Sequence, residues 1–479
     1  MKSINEILSL EPSEVYTLMT SRKKPFKKSI EETEKEYDPY SHKVMNPLIR
    51  KKKRIKVPTG LTDHKTGEAI YKEKVVDRCR VCVPMQQVLT ERPVGFLFSI
   101  PVEYKMTNKA TEEQTELFNR VLRVFHDNKM KYADKKIARA LFRECECAEL
   151  WYFIYDKNGE PTDLRMRILS RLNGDLLYPH YDEYDRLDGF ARQYYLYDAD
   201  GTSERHFDVY TEEYVYQYIG EGASLKLIEG SPKRHGFTKI PVIYYRQEET
   251  EWNKVQPIIE RIEELLSNWG DTNDYFGTPS YFIKGKLNGF AEKGEVGRVY
   301  SGENGAEMNV LSWDNSPQSV TGELANLINI VFSYTQTPDI SFENMKTLGN
   351  NTSGTAIKLM FTDPHMKANV KIETFGELFT RRYNLVQNGV ITSIPNNGRA
   401  FAPSLAEEID VEPVFTPYFP KNDYENVQIL SLATGGKATM SQEEGVKQNA
   451  LNSNPQVVLD QIKTEEQASM MQNAFGGAM

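Results

Sequence analysis

The chain has 479 residues, of which 39% are hydrophobic and 27% are charged, and its formal net charge is −9. This composition excludes a disordered protein, and a chain of this length is expected to divide into about two to four modules, each with a core. No apolar run approaches the roughly 18 residues that span a bilayer. Charged residues also interrupt the first 15 positions, so we expect an intracellular product without a secretory signal.

The first 75 residues are polar and charged, and the basic run "RKKKRIK" occupies residues 50–56. Such a run can bind nucleic acid, although a solvated arm or loop is the commoner structure for it. A helical pattern follows from Val75 to Leu89, and Pro84 is expected to break or kink that helix. The next stretch, "VGFLFSIPVEY", is predicted to be extended.

The four cysteines form a C-x-x-C pair, Cys79 and Cys82, and a C-x-C pair, Cys145 and Cys147. Together they have the composition of a four-thiolate zinc site. The residues inside each pair are Arg, Val and Glu, and both stretches have the pattern of regular structure rather than of a zinc knuckle. Reduced thiols, buried or incidental, are therefore the favoured interpretation, and no metal is expected.

Residues 111–143 are predicted to be helical, because apolar side chains recur there mostly at three- and four-residue steps. Between about 145 and 246 the period changes to two, which predicts short strands separated by turns. Asn158–Gly159 and Asp200–Gly201 are typical of hairpin turns, since these residue types tolerate a positive φ. The acidic sequence "DEYD" at 182–185 has carboxylates suited to a cation, but a solvated loop between strands is the better interpretation.

Two amphipathic helices then predict a rod. The first, at 251–276, places one apolar face on Val255, Ile258, Ile259, Ile262, Leu265, Leu266 and Trp269. The second, at about 319–336, carries Leu324, Leu327, Ile328 and Val331. The glycine-rich, strand-like residues 277–318 lie between them, so we expect a small β insertion at the far end of the rod.

The stretch "TLGNNTSGTAIKLMF" at 347–361 resembles a phosphate-binding loop in its glycine spacing, with four residues between Gly349 and Gly354. A nucleotide-binding loop needs a buried strand before it and a lysine directly after the second glycine. Here a threonine takes that position, and Lys358 comes one helical turn late. We therefore predict a polar loop that leads into a helix at 355–387, which Pro364 should kink.

The order of these segments carries a resemblance to a known family. It consists of "IPVIYYRQEETEW", a long helix with "SNWGDTNDYF", the β insertion, the second helix, the polar loop and "SGTAIKLMF". In this order the chain resembles the portal proteins of tailed double-stranded-DNA bacteriophages, especially those of long-tailed phages of Gram-positive hosts. The resemblance covers about residues 75–390 and is sharpest at Ile240–Tyr245, Trp252–Phe276 and Ser353–Phe361.

The resemblance implies an α+β portal fold and a ring, usually of about twelve subunits, at one capsid vertex. Its implied parts are a wing at 1–250, stem helices at 251–276 and 319–336, a clip at 277–318, a tunnel loop at 337–354, a kinked helix with return to the wing at 355–422, and a crown with tail at 423–479. The implied DNA-facing residues are Gly349, Asn350, Asn351, Thr352, Ser353 and Gly354. The implied stem-packing residues are Ile258, Ile262, Leu265, Trp269, Leu324, Leu327 and Val331.

The implied partners are other copies of the chain, double-stranded DNA bound without sequence specificity, a terminase, a head-tail connector, the major capsid protein and a scaffold. No membrane, cofactor, metal or catalytic residue is implied, and the location would be the virion, after assembly in the host cytoplasm. An acidic chain suits a channel, because a strongly basic wall would hold DNA through released counterions. Two other functions remain open: a capsid or tail ring without a DNA channel, and a zinc- or nucleotide-binding enzyme.

Overall fold

A computed structural model describes residues 3–62, 66–67, 69–198, 200–276, 280–284, 305, 307–311, 317–337, 361–393, 401–406, 409–418, 423–449, 451–452 and 454–476. The chain divides into two units. The first comprises Met1–Ser341 and Asp363–Pro417, and the second comprises Phe342–Thr362 and Tyr418–Met479.

The first unit mixes helices and strands. Its helices are α1 Ile4–Leu8, α2 Pro12–Ser21, α3 Ile30–Tyr37, α4 Met85–Phe98, α5 Glu112–Asp127, α6 Met130–Glu144, α7 Gln256–Phe276, α8 Pro317–Tyr334 and all but the first residue of α9 Thr362–Ser393. Its strands are β1 Lys53–Thr62, β2 Ala69–Val76, β3 Glu103–Met106, β4 Glu146–Tyr155, β5 Pro161–Leu169, β6 Leu176–Tyr181, β7 Leu187–Tyr197, β8 Ser203–Tyr210, β9 Tyr214–Ile219, β10 Lys226–Leu227, β11 Lys233–Arg234, β12 Val242–Arg246, β13 Ser280–Lys284, β14 Glu307–Leu311 and β15 Val411–Val414.

The predicted strand-rich region forms two antiparallel sheets. One has the order β12-β4-β5, and the other has the order β10-β9-β8-β7-β6, with β11 also paired to β9. An apolar core joins residues from both sheets: Ala148, Leu150, Leu169, Leu177, Phe190, Tyr210, Ile240, Val242 and Tyr244. Helices α1 and α2 cover the second sheet, where Ile4, Ile7, Val15 and Met19 share a core with strand residues. The prediction of strands at 145–246 is confirmed.

The turns of this region also follow the sequence. Gly159 has φ +82° and Gly201 has φ +78°, and each lies in the turn of a hairpin. The acidic residues at 182–185 form the turn between β6 and β7, where the Asp182 carboxylate accepts hydrogen bonds from the backbone N–H groups of Tyr184 at 2.8 Å and Arg186 at 2.9 Å. This acidic group is therefore organised by its own backbone, as expected for a loop.

The prediction of a helix from Val75 to Leu89 is wrong as far as Val83, whereas the expected break at Pro84 is confirmed. β2 extends to Val76, Pro84 precedes the first residue of α4, and the stretch from Val94 to Phe98 is helical rather than extended. The periodic signal fails because α4 is buried on most of its surface and has no continuous polar face. Pro93 lies inside this helix, so the surrounding packing overrides the local cost of proline.

The kink predicted at Pro364 stays a prediction. The described helix α9 begins at Thr362, after a turn at Phe361, and residues 355–360 lie outside the described residues. Pro364 therefore lies in the first helical turn, where a backbone N–H has no acceptor within the helix, so its absence costs no hydrogen bond. Downstream, α9 passes through the core of the first unit, where Phe375 contacts Phe98 of α4 with ring centroids 5.1 Å apart.

The second unit contains three helices among its described residues: α10 Asp423–Thr434, α11 Gln442–Gln448 and α12 Pro455–Gly476. Ser441 caps α11 by accepting a hydrogen bond from the N–H of Glu444 at 3.1 Å. A Cβ on Gly445 would lie 2.6 Å from the Thr434 side chain, so α10 and α11 approach closely at that glycine. The described part of the C-terminal region is therefore helical.

Candidate functional site

Helices α7 and α8 pack against each other and form the predicted rod. Five of the seven residues expected to pack there belong to one apolar cluster: Ile258, Ile262, Leu324, Leu327 and Val331. The other two lie on α7, with Leu265 buried and Trp269 half-buried. The cluster also includes Met85 and Leu89 of α4, so the chain itself covers the apolar face of its rod.

A buried group of charges lies at the base of the rod. The carboxylate of Glu251, just before α7, is 2.7 Å from Nζ of Lys367 and 2.5 Å from Nζ of Lys371, both on α9. Lys367 also donates to the carbonyl oxygen of Thr335, just after α8, at 3.0 Å. We call Glu251, Lys367, Lys371 and the Thr335 carbonyl the ionic junction. It binds the start of the rod, the end of the rod and the first turns of α9 together.

The pKa directions at the ionic junction follow from burial and pairing. Burial opposes ionisation of the Glu251 carboxyl, but Lys371 and Lys367 outweigh it and hold the pKa of Glu251 below its usual value. Burial lowers the pKa of Lys367, and the charge of Glu251 partly offsets that effect. The junction therefore holds its carboxylate charged at neutral pH, because two lysines pair with it in a desolvated place.

The described residues that flank the segment 338–360 lie beside this junction. Thr337 and Pro364, one from each side of the segment, line the same small cavity with Lys367 and Lys371. The six predicted loop residues, Gly349, Asn350, Asn351, Thr352, Ser353 and Gly354, lie outside the described residues. The structure thus describes the residues on either side of this segment but not the segment itself.

A second buried ionic group holds α9 further along. The guanidinium of Arg382, which is fully buried, lies 2.5 Å from the Glu149 carboxylate and 2.9 Å from the Asp134 carboxylate. Tyr245 donates to Glu149 at 2.6 Å. Burial raises the pKa of Asp134 to about 6, although Arg382 opposes this. The sequence analysis missed these residues, and their spacing carries no signal, since Arg382 and Glu149 are 233 positions apart.

His42, in the N-terminal segment, contacts helix α7 of the rod. Nδ1 of His42 is 2.5 Å from the Glu263 carboxylate on α7, and both side chains are 2% exposed. The same carboxylate accepts a hydrogen bond from the N–H of Val83 at 2.8 Å. Burial opposes the charge on His42, but the hydrogen bond and the charge of Glu263 prevail and raise its pKa. The segments that contain His42 and Val83 therefore pack on α7 through polar contacts as well as through the apolar cluster.

A comparison with known protein families covers the part of the chain that contains these features. The family model described as "Phage portal protein, SPP1 Gp6-like" matches residues 22–472, which is most of the chain. The chain belongs to the phage portal protein family. No curated protein matches the chain. The match includes the rod, the ionic junction, α9, α10, α11 and α12 as far as residue 472, and it confirms the resemblance to tailed-phage portals.

Membership in the portal family implies a ring-forming oligomer at a capsid vertex, and the family is structural rather than enzymatic. Among the described residues no helix is long and apolar enough to cross a membrane. The described part of the chain also contains no group of three or more His, Cys, Asp or Glu side chains arranged to hold a metal. Cys145 and Cys147 are buried, and burial raises the pKa of the Cys145 thiol to about 12.

Proposed function

We propose that this portal protein assembles as a ring of about twelve copies whose central channel passes double-stranded DNA into and out of the capsid. In this proposal residues 1–250 form the wing, 251–276 and 319–336 the stem, and 277–318 the clip. Residues 337–354 form the tunnel loop, 355–422 the following helix with its return to the wing, and 423–479 the crown.

The ionic junction is the observation that carries this proposal. A loop that touches moving DNA needs a rigid base, and Glu251 ties both sides of the 338–360 segment to the stem through Lys367 and Lys371. Arg382 holds α9 to the sheet further along. A force on the loop would pass through α9 into the wing core.

The composition of the loop suits weak, repeated contact with DNA. Asn350, Asn351 and Thr352 carry small polar side chains that can form hydrogen bonds with phosphate oxygens without reading bases. The formal charge of −9 agrees with a wall that does not hold DNA electrostatically. The residues therefore match a requirement for passage rather than for tight binding.

The partners follow from the same arrangement. The clip would contact the terminase motor during packaging and a head-tail connector afterwards, and the wing would contact the major capsid protein and the scaffold. The hydrolysis of ATP would belong to the terminase, so no residue of this chain is assigned a catalytic role. A capsid or tail ring that lacks a DNA channel is the second candidate, because rod and wing alone would also serve it.

Two experiments test the proposal: imaging of the purified protein, and attachment of a bulky group to the loop. Purified protein should give rings of about twelve units with a central hole in negative-stain electron microscopy. In assembled rings, Asn351→Cys modified with a polyethylene glycol maleimide should stop terminase-driven DNA packaging. The control is the same modification at Tyr184→Cys, on a turn whose tyrosine is 72% exposed. Wild-type protein treated with the reagent corrects for Cys79 and Cys82, which are half-buried.

Two results would reject the proposal. Rings without a hole would favour the structural ring, and normal packaging through rings fully modified at 351 would remove the loop from the DNA path. Packaging that stops only with the modification at 351 supports the channel and the position of the loop together.

A further inference from the structure

Strands β1 and β2 form an antiparallel ribbon that no other strand joins among the described residues. Lys53 pairs with Val76, Ile55 with Lys74 and Val57 with Lys72, so these side chains share one face. Arg54, Lys56 and their partners Val75 and Glu73 share the other. At about 3.3 Å per residue, the ribbon is roughly 25–30 Å long. We call these two strands the basic ribbon.

The basic ribbon exposes apolar side chains on both faces. They are Val57 at 37%, Leu61 at 65%, Ile70 at 42%, Tyr71 at 58% and Val75 at 58%. A two-stranded hairpin is at best marginally stable in water without a hydrophobic surface to pack on. Exposed apolar groups concentrated on one element mark an interaction surface, because they gain from burial against a partner.

The charge of the ribbon is opposite to that of the rest of the chain. Its strands carry five basic side chains, Lys53, Arg54, Lys56, Lys72 and Lys74, and one acidic side chain, Glu73, which gives +4. Since the whole chain carries −9, the remainder carries −13. A second copy of this chain therefore offers the ribbon a surface of opposite overall charge.

The two ends of the ribbon are fixed to α7 by one carboxylate. Asp271 is 2.6 Å from Arg50, before β1, and 3.0 Å from Arg78, after β2. Asp271 also accepts a hydrogen bond from the N–H of Cys79 at 2.6 Å, and Arg50 donates to the Cys79 carbonyl at 2.7 Å. The backbone on both sides is thus held to the rod, which orients the ribbon before any partner binds and reduces the entropy lost on binding.

We infer that the basic ribbon is an intersubunit arm that packs on an acidic, partly apolar surface of the neighbouring copy in the ring. The inference rests on the proposed ring and adds the element that joins its members. An arm that binds a different surface of the next copy gives a head-to-tail contact, and such contacts close into rings. Nucleic acid is the less suitable occupant, because phosphates leave the apolar side chains of Val57, Tyr71 and Val75 unpaired on both faces.

Charge reversal on the ribbon tests its role in assembly. Lys53→Glu, Arg54→Glu and Lys56→Glu together should lower the ring fraction in mass photometry at least tenfold, with the melting temperature of the subunit unchanged. The matched control reverses two lysines and one arginine on β10 and β11, Lys226, Lys233 and Arg234, which are exposed. Control rings should form normally. Wild-type ring formation by the ribbon variant would overturn the inference.

A photocrosslink in the unreversed protein keeps the test independent of folding. A photoreactive amino acid replaces Tyr71 on the ribbon or, as the control, Tyr197 on β7, which is 75% exposed. Position 71 should give covalent products between copies, mapping to acidic peptides, and position 197 should not. If rings form but position 71 gives no such products, the inference that the ribbon is an intersubunit arm is wrong, whereas the proposed ring function stands.

The remaining outcomes separate the two proposals. In one outcome, the photocrosslinked rings are normal and the charge-reversed ribbon variant also forms rings, but this variant no longer binds duplex DNA in a fluorescence anisotropy assay. That result would assign the charged contacts of the ribbon to nucleic acid and overturn their role in assembly. A wild-type chain that forms no rings at all would reject the proposed function itself.

Discussion

The carboxylate of Glu251 connects three parts of the chain that are distant in sequence. It pairs with Lys371, which is 120 positions away, and with Lys367, which also binds the end of α8 through Thr335. A buried carboxylate with two cationic partners is sensitive to the loss of its charge, because both ammonium groups would remain desolvated without compensation. A single side chain, that of Glu251, therefore links the residues on both sides of the 338–360 segment.

We predict that Glu251→Gln destabilises this region by about 3–5 kcal/mol, the usual cost of breaking a buried ion pair. Hydrogen exchange at residues 365–375 of α9 should become faster, and the melting temperature should fall. The control is Glu248→Gln, since the Glu248 side chain is 85% exposed and its ion pair with Lys27 spans 4.0 Å. Exchange in α9 that matches the wild type would show that the junction does not hold the helix.

A pH dependence follows from His42. Its folded pKa is raised above the ordinary value of 6.5 by Glu263, with Asp38 contributing, so its stabilising effect is complete below about pH 6.5. That effect is lost as the pH rises through the folded pKa. We predict that His42→Asn loses more melting temperature relative to wild type at pH 6 than at pH 9. An equal loss at both values would mean that the pair does not depend on the charge of His42.

At the scale of elements, the sequence predicts what repeats locally. The rod helices and the strands at 145–246 have clear periods of 3.6 and two, and both were predicted. Helix α4 was predicted only from Met85 to Leu89, because burial on most of its surface removes the polar face that marks a helix. The ionic junction and the Arg382 group were not predictable, since they join residues whose proximity depends on the tertiary fold. The predicted loop residues at 349–354 stay predictions.

The rod gives a prediction at this scale. Ile262 is 1% exposed within a cluster that includes Met85 and Val331. Ile262→Asp should impair assembly because it places an unpaired charge among apolar side chains and destabilises the rod, with a lower melting temperature and loss of rings. Ile262→Val is the control and should cost only about 0.5–1.5 kcal/mol. Size-exclusion chromatography with light scattering measures the rings, and wild-type rings from the aspartate variant would contradict this role.

For the whole molecule, the clip gives a prediction about assembly with other proteins. β13 ends at Lys284 and β14 begins at Glu307, so deleting residues 285–297 removes only part of the connection between two paired strands. We expect the wing to fold and DNA packaging or tail joining to fail. Electron microscopy of the particles, with circular dichroism of the purified variant, measures both effects. Filled and tailed particles from this deletion would place the clip elsewhere.

The burial of the ionic junction has a consequence for the proposed DNA channel. At physiological ionic strength the Debye length is about 8 Å, so dissolved ions weaken exposed charge pairs but hardly reach buried ones. The side chain of Glu251 is 6% exposed and that of Lys367 is 12% exposed. In the proposed channel, the ion pairs of the junction would therefore persist as counterions accumulate around DNA in the capsid, whereas the proposed contacts of the exposed charges on the basic ribbon would vary with those ions.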